Sequence, residues 1–520
     1  MRESRLSLAL DESSRAAESV STDLRVCARI LWTWLAFRTA FWTLLSSTQP
    51  NGTFDLMEWL AWGHQWQLGY PKHPPFPAWL AAAFHSLTPG SLTGVYLLSY
   101  LAWAFAMWCV WRVARDILAP RLALVSALCL EGYLSTNLQG ADFSNNVALS
   151  ATWMATALSF QQALKTNALR WWLALGLAVG LSALTKYSIA LLLIPLIAFT
   201  VAEPRARFIW RRKEPYLAAG LALLIFLPHA AWMQATGFTT IDYTLDRAAG
   251  YQHWYDRLVT SASFLADQAA RILPVLLIIA PLLLPPRGKA PAAGDYERRF
   301  LDFAFLGPIL LLLASSLLFG LRLRGIWAMP LWSLLGVFLL ARAGDPAGEW
   351  WRLRRAALLG GTVAAAMAAV FVMSNAWFAA WHGRPFREHF PGERLAKEMT
   401  LAYQARYGIH PAIIAGDAWI ANNIVCYSQP VPVVYPTVDY DSLYLDEKRA
   451  PWTSDADLRT RGGILVWNAD RDGAELPSSL QERFHSAAIQ PALIVAYQGG
   501  SHFASAHIGW ALVPPAGRQP

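Results

Sequence analysis

The stretch Asp55-Leu-Met-Glu58, followed by Gly69-Tyr-Pro-Lys72-His73-Pro74-Pro75, places acids, bases and rigid prolines between two apolar segments. Ionisable residues beside a bilayer are costly, so they usually mark a functional site. The chain around them is strongly apolar: 55% of its 520 residues are hydrophobic, 26 are Trp, and the mean hydropathy is +0.30. This composition predicts a polytopic α-helical membrane protein.

The apolar runs predict about eleven transmembrane helices, several of them at the short limit for crossing a bilayer. Lys and Arg are concentrated in alternate loops, such as 205–213 and 342–355, and are sparse in the others. Because basic loops are retained in the cytoplasm, the stretch around Asp55 is expected to face outward. The predicted spans are 27–46, 92–111, 119–136, 146–163, 171–186, 187–202, 216–236, 271–286, 300–320, 325–341 and 356–376.

The domain organisation follows from this topology. Residues 1–26 form a cytoplasmic N-terminal segment before an uncleaved anchor, and residues 27–379 form the transmembrane domain, with long outer loops at 47–91 and 237–270. Residues 380–520 are expected to form an extracytoplasmic, periplasmic α/β domain. Its predicted strands are 412–416, 431–435, 463–467 and 492–496, with helices at 391–407 and 478–485.

Charge and cysteine content exclude some classes of protein. The net charge of +8 is accounted for by the basic loops, which attract anionic lipid headgroups, so no nucleic-acid partner is expected. Only Cys426 of the four cysteines lies in the outer domain, so neither a disulfide framework nor a metal cluster is predicted.

The first outer loop carries the acids. The spacing of Trp59, Trp62, Trp66 and Tyr70 predicts a helix lying flat at the membrane interface, above a cavity. Asp55 and Glu58 are three residues apart, so on a helix their carboxylates share a face, where one could take a proton from a substrate hydroxyl. The alternative is that both acids only stabilise a helix N-terminus.

Basic residues follow on the same side of the membrane. Lys72 and His73 precede two prolines that fix the backbone, although a lysine that merely snorkels to the interface would look alike. Lys186, beside Tyr187, is the one charge in a very apolar hairpin, and a bound phosphate would account for it.

Two further groups complete the candidate site. His253 and Arg257 are four residues apart and could form a second anion-binding pair, or a salt bridge with a nearby aspartate. Asp142, Asn145 and Asn146 could hydrogen-bond a sugar, or simply cap the helix that follows. Two acids and several cations on one side of an apolar chain suit an anionic, lipid-linked substrate.

At four places the sequence resembles glycosyltransferase family 39, whose members have the GT-C fold and include protein O-mannosyltransferases and the lipid A aminoarabinose transferase. These places are Asp55-x-x-Glu58, Leu68-Gly-Tyr with His73-Pro-Pro-Phe-Pro-Ala-Trp79-Leu80, Gly180-Leu-Ser-Ala-Leu-Thr-Lys-Tyr187, and Ile326-Trp-Ala-Met-Pro-Leu-Trp332. The chain departs from the aminoarabinose transferases where they carry Glu-Lys-Pro-Pro, since it has Lys72-His73-Pro74-Pro75.

The resemblance implies an integral membrane glycosyltransferase that moves a sugar from a polyprenyl-phosphate donor. It assigns Asp55 as the catalytic base or acceptor-orienting carboxylate, with Glu58 as its partner. It implies that a set of basic residues and a neighbouring tyrosine bind the donor phosphate. That set is Lys72, His73, Lys186, Tyr187, His253 and Arg257.

Physical arguments support a lipid-linked donor, because nucleotide sugars are too charged to cross the bilayer to an outward-facing site. In the expected reaction, an acceptor group attacks the sugar C1 with inversion. The acceptor belongs to lipid A, an envelope glycan or a protein. Asp55 and Glu58 could ligate a divalent metal, but the surrounding cations make metal independence, and no cofactor, the expectation. The alternatives are a transporter or lipid flippase, and a non-enzymatic envelope assembly protein.

Overall fold

The computed structural model describes residues 2–248, 250, 253–283, 291–344, 349–437, 445–499, 503 and 505–518. Among these, five helices are long and apolar enough to cross a membrane, and a sixth is counted if the bent pair Tyr187–Ala202 and Pro204–Arg211 is one span. The chain is therefore a multi-pass membrane protein, while the count of eleven spans stays a prediction. The five are Thr93–Ala114, Glu214–Ala235, Trp254–Leu283, Asp295–Phe319 and Trp350–Met373.

Helices dominate the first three quarters of the chain. The α-helices are Arg2–Ser46, Phe54–Gly63, Phe76–His85, Thr93–Ala114, Pro120–Leu128, Leu134–Asn137, Asn145–Thr166, Leu169–Ala183, Ala190–Ala202, Glu214–Ala235, Thr239–Ala248, Trp254–Leu283, Asp295–Leu301, Gly307–Phe319, Leu335–Leu340, Trp350–Met373 and Ala379–His382. Shorter 3₁₀ or π turns lie at Cys129–Gly132, Tyr187–Ile189, Pro204–Arg211, Asp302–Leu306, Gly325–Ala328, Leu331–Leu334 and Ser374–Phe378.

Two of the predicted spans are broken in the structure. The run 119–136 ends its first helix at Leu128 and continues as 3₁₀ and short helical turns, and the run 325–341 is regular α-helix only over Leu335–Leu340. Both segments are largely buried by other helices. Irregular backbone is tolerated at membrane depth when protein surrounds it, which a count of apolar residues does not detect.

The prediction of one interfacial helix in the loop 47–91 is wrong. The structure has two short helices, Phe54–Gly63 and Phe76–His85, and the chain turns between them at Trp66, which has a positive φ of 49°. Trp59 and Trp62 are each only 2% exposed, whereas a helix lying flat on the membrane would leave its aromatic face uncovered. Trp59, Trp62 and Tyr70 therefore pack in the core, whereas Trp66 is exposed at the turn.

A buried ion pair explains an arginine within the first apolar run. Arg38 Nε lies 2.6 Å from Glu131 Oε1, and the two side chains are 1% and 4% exposed. Asn137 accepts a hydrogen bond from Arg38, and Trp34 donates one to Glu131. The break after Leu128 places Glu131 where it can compensate the arginine charge, so the irregular turn and the buried pair depend on each other.

The last part of the chain forms a five-stranded sheet. Its strands are β1 (Ile413–Gly416), β2 (Val433–Pro436), β3 (Gly463–Asn468), β4 (Ala488–Ala496) and β5 (Ser505–Val513), in the order β2-β1-β3-β5-β4. Strands β1, β2 and β3 are parallel, and β5 is antiparallel to both of its neighbours. The surrounding helices are Arg387–His389, Gly392–Tyr407, Ala418–Tyr427, Asp455–Arg461, Ala469–Asp472 and Ser478–Gln481.

The four predicted strands all form, and one strand is missed. Strand β5 contains Ser505, His507 and Gly509 among its apolar residues, which weakens the β signal of its sequence. It pairs with β3 and β4, so its register is decided by partners distant in sequence.

The C-terminal part packs directly on the helix Phe54–Gly63. The fully buried Asn51 donates through Nδ2 to Asn423 Oδ1 at 2.8 Å and accepts from the Tyr427 hydroxyl at 2.9 Å. Phe54 stacks on Trp419 with ring centroids 5.6 Å apart. The loop 47–91 and the helix Ala418–Tyr427 of the C-terminal part therefore share one packed interface.

We expect Glu131→Gln to destabilise the protein severely. The change leaves the Arg38 charge buried without compensation, which costs about 3–5 kcal/mol. The measurement is the thermal unfolding midpoint of the purified protein in detergent. The matched control is Asp23→Asn, which breaks the exposed pair between Arg121 and Asp23 and should cost under about 1 kcal/mol. Equal midpoints for the two variants would contradict the structural role of the buried pair.

Candidate functional site

A cavity of about 330 Å³ lies beside the helix Phe54–Gly63. Asp55 and Glu58 both line it, so the shared helical face predicted from their spacing is present. The other lining residues come from segments far apart in sequence and include four cations. The full lining is Asp55, Glu58, Trp59, Lys72, His73, Pro74, Asn145, Asn146, Lys186, Tyr187, Ser188, Leu191, Tyr243, Thr244, Arg247, Ala248, Leu312, Arg324, Ile326 and Trp327.

Glu58 is held by an ion pair. Lys72 Nζ lies 2.6 Å from Glu58 Oε1, with side-chain exposures of 13% and 8%. The same ammonium lies 5.4 Å from the ring centroid of Trp62, within the range of a cation–π interaction. Lys72 is thus fixed on the cavity wall by a carboxylate and an indole, and it does not snorkel freely.

Asp55 is the second acid of the wall. Burial raises its pKa, and the positive charges of Lys72 and Lys186 oppose this shift. A carboxylate with a raised pKa is a stronger proton acceptor than an exposed aspartate. The local environment of Asp55 therefore fits a general base.

His73 contributes no positive charge. Its ring is stacked on Trp59, with centroids 5.3 Å apart, and meets the edge of Tyr243. Burial lowers its pKa well below the ordinary value, and the charges of Lys186 and Lys72 lower it further. A neutral imidazole can donate one hydrogen bond to a phosphate, while the charge must come from the neighbouring lysines.

Lys186 also lines the cavity, from the segment between the helix Leu169–Ala183 and the turn Tyr187–Ile189. Its Nζ donates to Asn146 Oδ1 at 2.6 Å and sits 5.4 Å from the Trp327 ring centroid. Burial lowers the pKa of Lys186 to about 7, although the charge of Asp55 raises it. An anion entering the cavity would restore its full charge.

Tyr187 is oriented from outside the cavity. Its hydroxyl is 2.7 Å from His229 Nε2, and His229 Nδ1 is 2.8 Å from the Leu68 carbonyl oxygen. This chain of hydrogen bonds joins the turn at Tyr187 to the helix Glu214–Ala235 and to the first outer loop. The sequence pattern had not indicated His229.

Asp142 does not line the cavity, whereas Asn145 and Asn146 do. The Thr53 hydroxyl, at the N-cap of the helix Phe54–Gly63, donates to the Asp142 carboxylate. Burial, and then the charge of Asp55, raise the pKa of Asp142 to about 8. Asp142 therefore supports the start of the helix that carries Asp55, and the expected sugar contact is left to the two asparagines.

The structure does not bring His253 and Arg257 into the cavity. Arg257 Nη1 donates to the carbonyl oxygens of Leu317 and Leu318, at 3.3 and 3.2 Å, at the end of the helix Gly307–Phe319. The long helix begins at Trp254, so His253 precedes it and stacks on Tyr255. Arg257 therefore caps the end of this helix, and neither residue of the predicted second anion-binding pair lines the cavity.

Arg247 and Arg324 take the place expected of that pair. Both line the cavity, and Arg324 also lies over the Trp327 ring, 5.8 Å from its centroid. Arg247 lies in the predicted outer loop 237–270, and Arg324 lies between the predicted spans 300–320 and 325–341. Arg324 lies two residues before the motif Ile326-Trp-Ala-Met-Pro-Leu-Trp332, which carries part of the family resemblance and is the one sequence signal near this arginine.

Among the described residues, no three His, Cys, Asp or Glu side chains come together in a way that could hold a metal ion. The metal-independent reaction stays a prediction.

Residues 72–232 match the family model described as dolichyl-phosphate-mannose-protein mannosyltransferase. Lipopolysaccharide core galacturonosyltransferase RgtA of Rhizobium johnstonii is 26% identical over 81% of this chain and 82% of its own. The resemblance to glycosyltransferase family 39 is confirmed.

A further relative and a solved structure are also similar to this chain. The undecaprenyl phosphate-α-4-amino-4-deoxy-L-arabinose arabinosyl transferase of Pseudomonas paraeruginosa is 29% identical over 47% of this chain and 45% of its own. The crystal structure of ArnT from Cupriavidus metallidurans bound to undecaprenyl phosphate superposes with a TM-score of 0.63 at 12% identity, covering 94% of this chain and 99% of that one. The chain therefore has a GT-C-like fold.

We expect the stability of the protein to fall as the pH rises, because Asp142 has a folded pKa of about 8 against an ordinary value of 3.8. Its contribution is full below the ordinary value and is lost as the pH rises through the folded one. Asp142→Asn keeps a hydrogen-bond acceptor for Thr53 but removes the titrating group. The free energy of unfolding of the wild type should therefore fall, relative to that of the variant, by at most about 1.4 kcal/mol for each unit of rising pH.

The measurement is the thermal midpoint of both proteins between about pH 5 and pH 8. The control is Asp295→Asn, because the Asp295 side chain is 88% exposed and its removal should leave the wild-type pH profile unchanged. Parallel curves for wild type and Asp142→Asn would show that Asp142 does not titrate in this range.

Proposed function

We propose that this protein transfers a sugar from a polyprenyl-phosphate donor to an extracytoplasmic acceptor, with inversion at the sugar C1. One observation carries the proposal: a single cavity combines the acids Asp55 and Glu58 with cations from four separate segments. A proton acceptor and a phosphate-binding cluster are the two parts that such a transfer requires. The cations are Lys72, Lys186, Arg247 and Arg324.

The donor phosphate fits the cationic walls. Lys186 has a pKa lowered by burial, so binding a phosphate would stabilise its charged form. In the transition state, negative charge accumulates on the departing polyprenyl phosphate, and fixed cations stabilise it. The Pseudomonas relative is an undecaprenyl phosphate-α-4-amino-4-deoxy-L-arabinose arabinosyl transferase, and the Cupriavidus ArnT structure is bound to undecaprenyl phosphate, which supports a donor of this class.

The two acids have separate tasks in this proposal. The ion pair with Lys72 fixes Glu58, whereas Asp55 carries the raised pKa of a proton acceptor. Asp55 takes the proton of the acceptor hydroxyl or phosphate as its oxygen bonds to C1, and the C1–phosphate bond breaks with its electrons on the leaving group. A single displacement inverts C1.

Topology and partners follow the same proposal. The basic loops support eleven spans with a cytoplasmic N-terminus, and a C-terminal α/β domain in the periplasm of a bacterial-type inner membrane. A divalent metal is unnecessary where cations already surround the phosphate. The acceptor is lipid A, an envelope glycan or a protein, and the name of the Rhizobium relative supports a glycolipid.

Asp55→Asn is expected to abolish sugar transfer, because the amide cannot take a proton from the acceptor. Mass spectrometry of lipid A, surface glycans and membrane proteins, in cells with the intact chain, the variant or no copy, measures this. One sugar mass should disappear in both defective strains, and the molecule that loses it is the acceptor. Asp295→Asn, at an exposed site, should leave the mass unchanged.

The remaining outcomes are informative. If deletion removes a sugar mass and Asp55→Asn does not, the enzyme class stands and the assignment of Asp55 fails. If neither changes any mass, a transporter, a flippase or an assembly protein becomes the better interpretation. Chelation with EDTA in membranes tests metal independence, since transfer should continue.

Lys186→Met is expected to weaken binding of undecaprenyl phosphate by about ten- to a hundredfold, the equivalent of one hydrogen bond to a charged group. Lys186→Arg should keep part of the affinity, because it preserves the positive charge. The measurement is titration of the purified protein in lipid nanodiscs. Loss of equal size in both variants would show that the geometry around Asn146, and not the charge, determines binding.

A further inference from the structure

Arg387 belongs to the C-terminal part of the chain and lies next to the helix that carries Asp55. Its guanidinium carbon is 4.5 Å from the ring centroid of Phe54, the residue before Asp55, and 5.5 Å from that of Trp419. Stacking on aromatic faces fixes the plane of a guanidinium and leaves its edge N–H groups available for a bidentate anion.

The position of Arg387 distinguishes it from the donor cations. It is exposed and is not among the residues that line the cavity, unlike Lys72, Lys186, Arg247 and Arg324. Nevertheless, its charge acts on Asp55, as the charges of Lys72 and Lys186 do. Asp55 is therefore within electrostatic reach of two cationic groups, one inside the cavity and one outside it.

In the described part of the chain, no carboxylate forms an ion pair with the Arg387 guanidinium, although the charges of Asp55 and of the adjacent Glu388 act on it from a greater distance. The backbone carbonyl of Arg387 accepts a weak hydrogen bond from Asn51, 3.3 Å away, which ties the segment to the first outer loop. The buried Asn51 also bonds Asn423 and Tyr427, so the backbone under Arg387 is anchored. An anchored, stacked and exposed arginine is prearranged for an external anion.

In an in-line displacement, the acceptor attacks C1 from the side opposite the leaving phosphate. The general base must therefore lie on the side from which the acceptor approaches. The donor phosphate occupies the cationic cavity in the function proposed above, so the acceptor must approach Asp55 from elsewhere. Arg387 follows the transmembrane helix Trp350–Met373 closely in sequence, which keeps it near the membrane surface. A glycolipid headgroup lies at that level.

We propose that Arg387, stacked on Phe54 and Trp419, forms an acceptor subsite that binds a phosphate group of a phosphorylated glycolipid. The inference rests on the proposed function and adds the class of acceptor and the residue that selects it. It also gives the C-terminal domain a direct part in substrate binding.

The experiment compares variants of the full-length protein in lipid nanodiscs, titrated with lipid A carrying both phosphates, with dephosphorylated lipid A, and with undecaprenyl phosphate. Arg387→Gln should weaken binding of phosphorylated lipid A about tenfold, the loss of one charge-assisted contact, and leave undecaprenyl phosphate binding unchanged. Dephosphorylated lipid A should bind wild type and variant equally. Lys186→Met should show the reverse selectivity.

The matched control is Arg394→Gln, which removes an arginine of the same domain that is 56% exposed and paired with Glu398. Equal affinity of wild type and Arg387→Gln for phosphorylated lipid A would overturn the proposal. So would equal competition by phosphatidylglycerol or inorganic phosphate, because that would indicate a general anion site. If Arg387→Gln loses both ligands through misfolding, Arg387→Lys decides: selective weakening supports the subsite, and unchanged affinity overturns it.

Failure of the subsite and failure of the proposed function give different results. A protein that binds undecaprenyl phosphate through Lys186, and whose deletion removes a sugar mass, remains a transferase even if Arg387 is irrelevant. A protein that binds phosphorylated lipid A through Arg387, but neither binds undecaprenyl phosphate nor alters any sugar mass, is not the proposed transferase.

Discussion

The need to keep charges balanced inside an apolar protein governs the arrangement of this molecule. An isolated ion is expensive to bury, and the cost falls only when opposite charges and hydrogen bonds surround it. Lys72 meets Glu58, Lys186 meets Asn146, and Arg38 meets Glu131, each at 2.6 Å. The partners of each pair lie at least 14 residues apart in the sequence, so the segments that carry them must assemble in one arrangement for the charges to be tolerated.

The same constraint shapes the chemistry of the cavity. Its cations exceed its carboxylates, so the cavity is best satisfied when a phosphate enters it. Burial raises the pKa of Asp55 and lowers the pKa of Lys186, so it favours the neutral form of both side chains. The protein thereby maintains a proton acceptor and a phosphate site within one small volume, where water would screen neither of them.

Much of this could be predicted from the sequence, because local spacing and composition carry the information. The shared face of Asp55 and Glu58, the isolated charge of Lys186 and the four strand runs depend on short stretches. Arg247, Arg324 and strand β5 depend on segments that meet only in the folded chain. Arg257 lies outside the cavity, at the end of a helix, because four-residue spacing does not distinguish an anion site from a helix cap.

The hydrogen bonds of Asn51 constrain the order in which the protein can fold during synthesis. Its hydrogen bonds join a residue made early in synthesis to Asn423 and Tyr427, which are made near the end. The Asn51 amide therefore lacks these two partners through most of translation. Packing of the helix that carries Asp55 is completed only when the helix Ala418–Tyr427 has been made, so the site is assembled last although its acids are synthesised first.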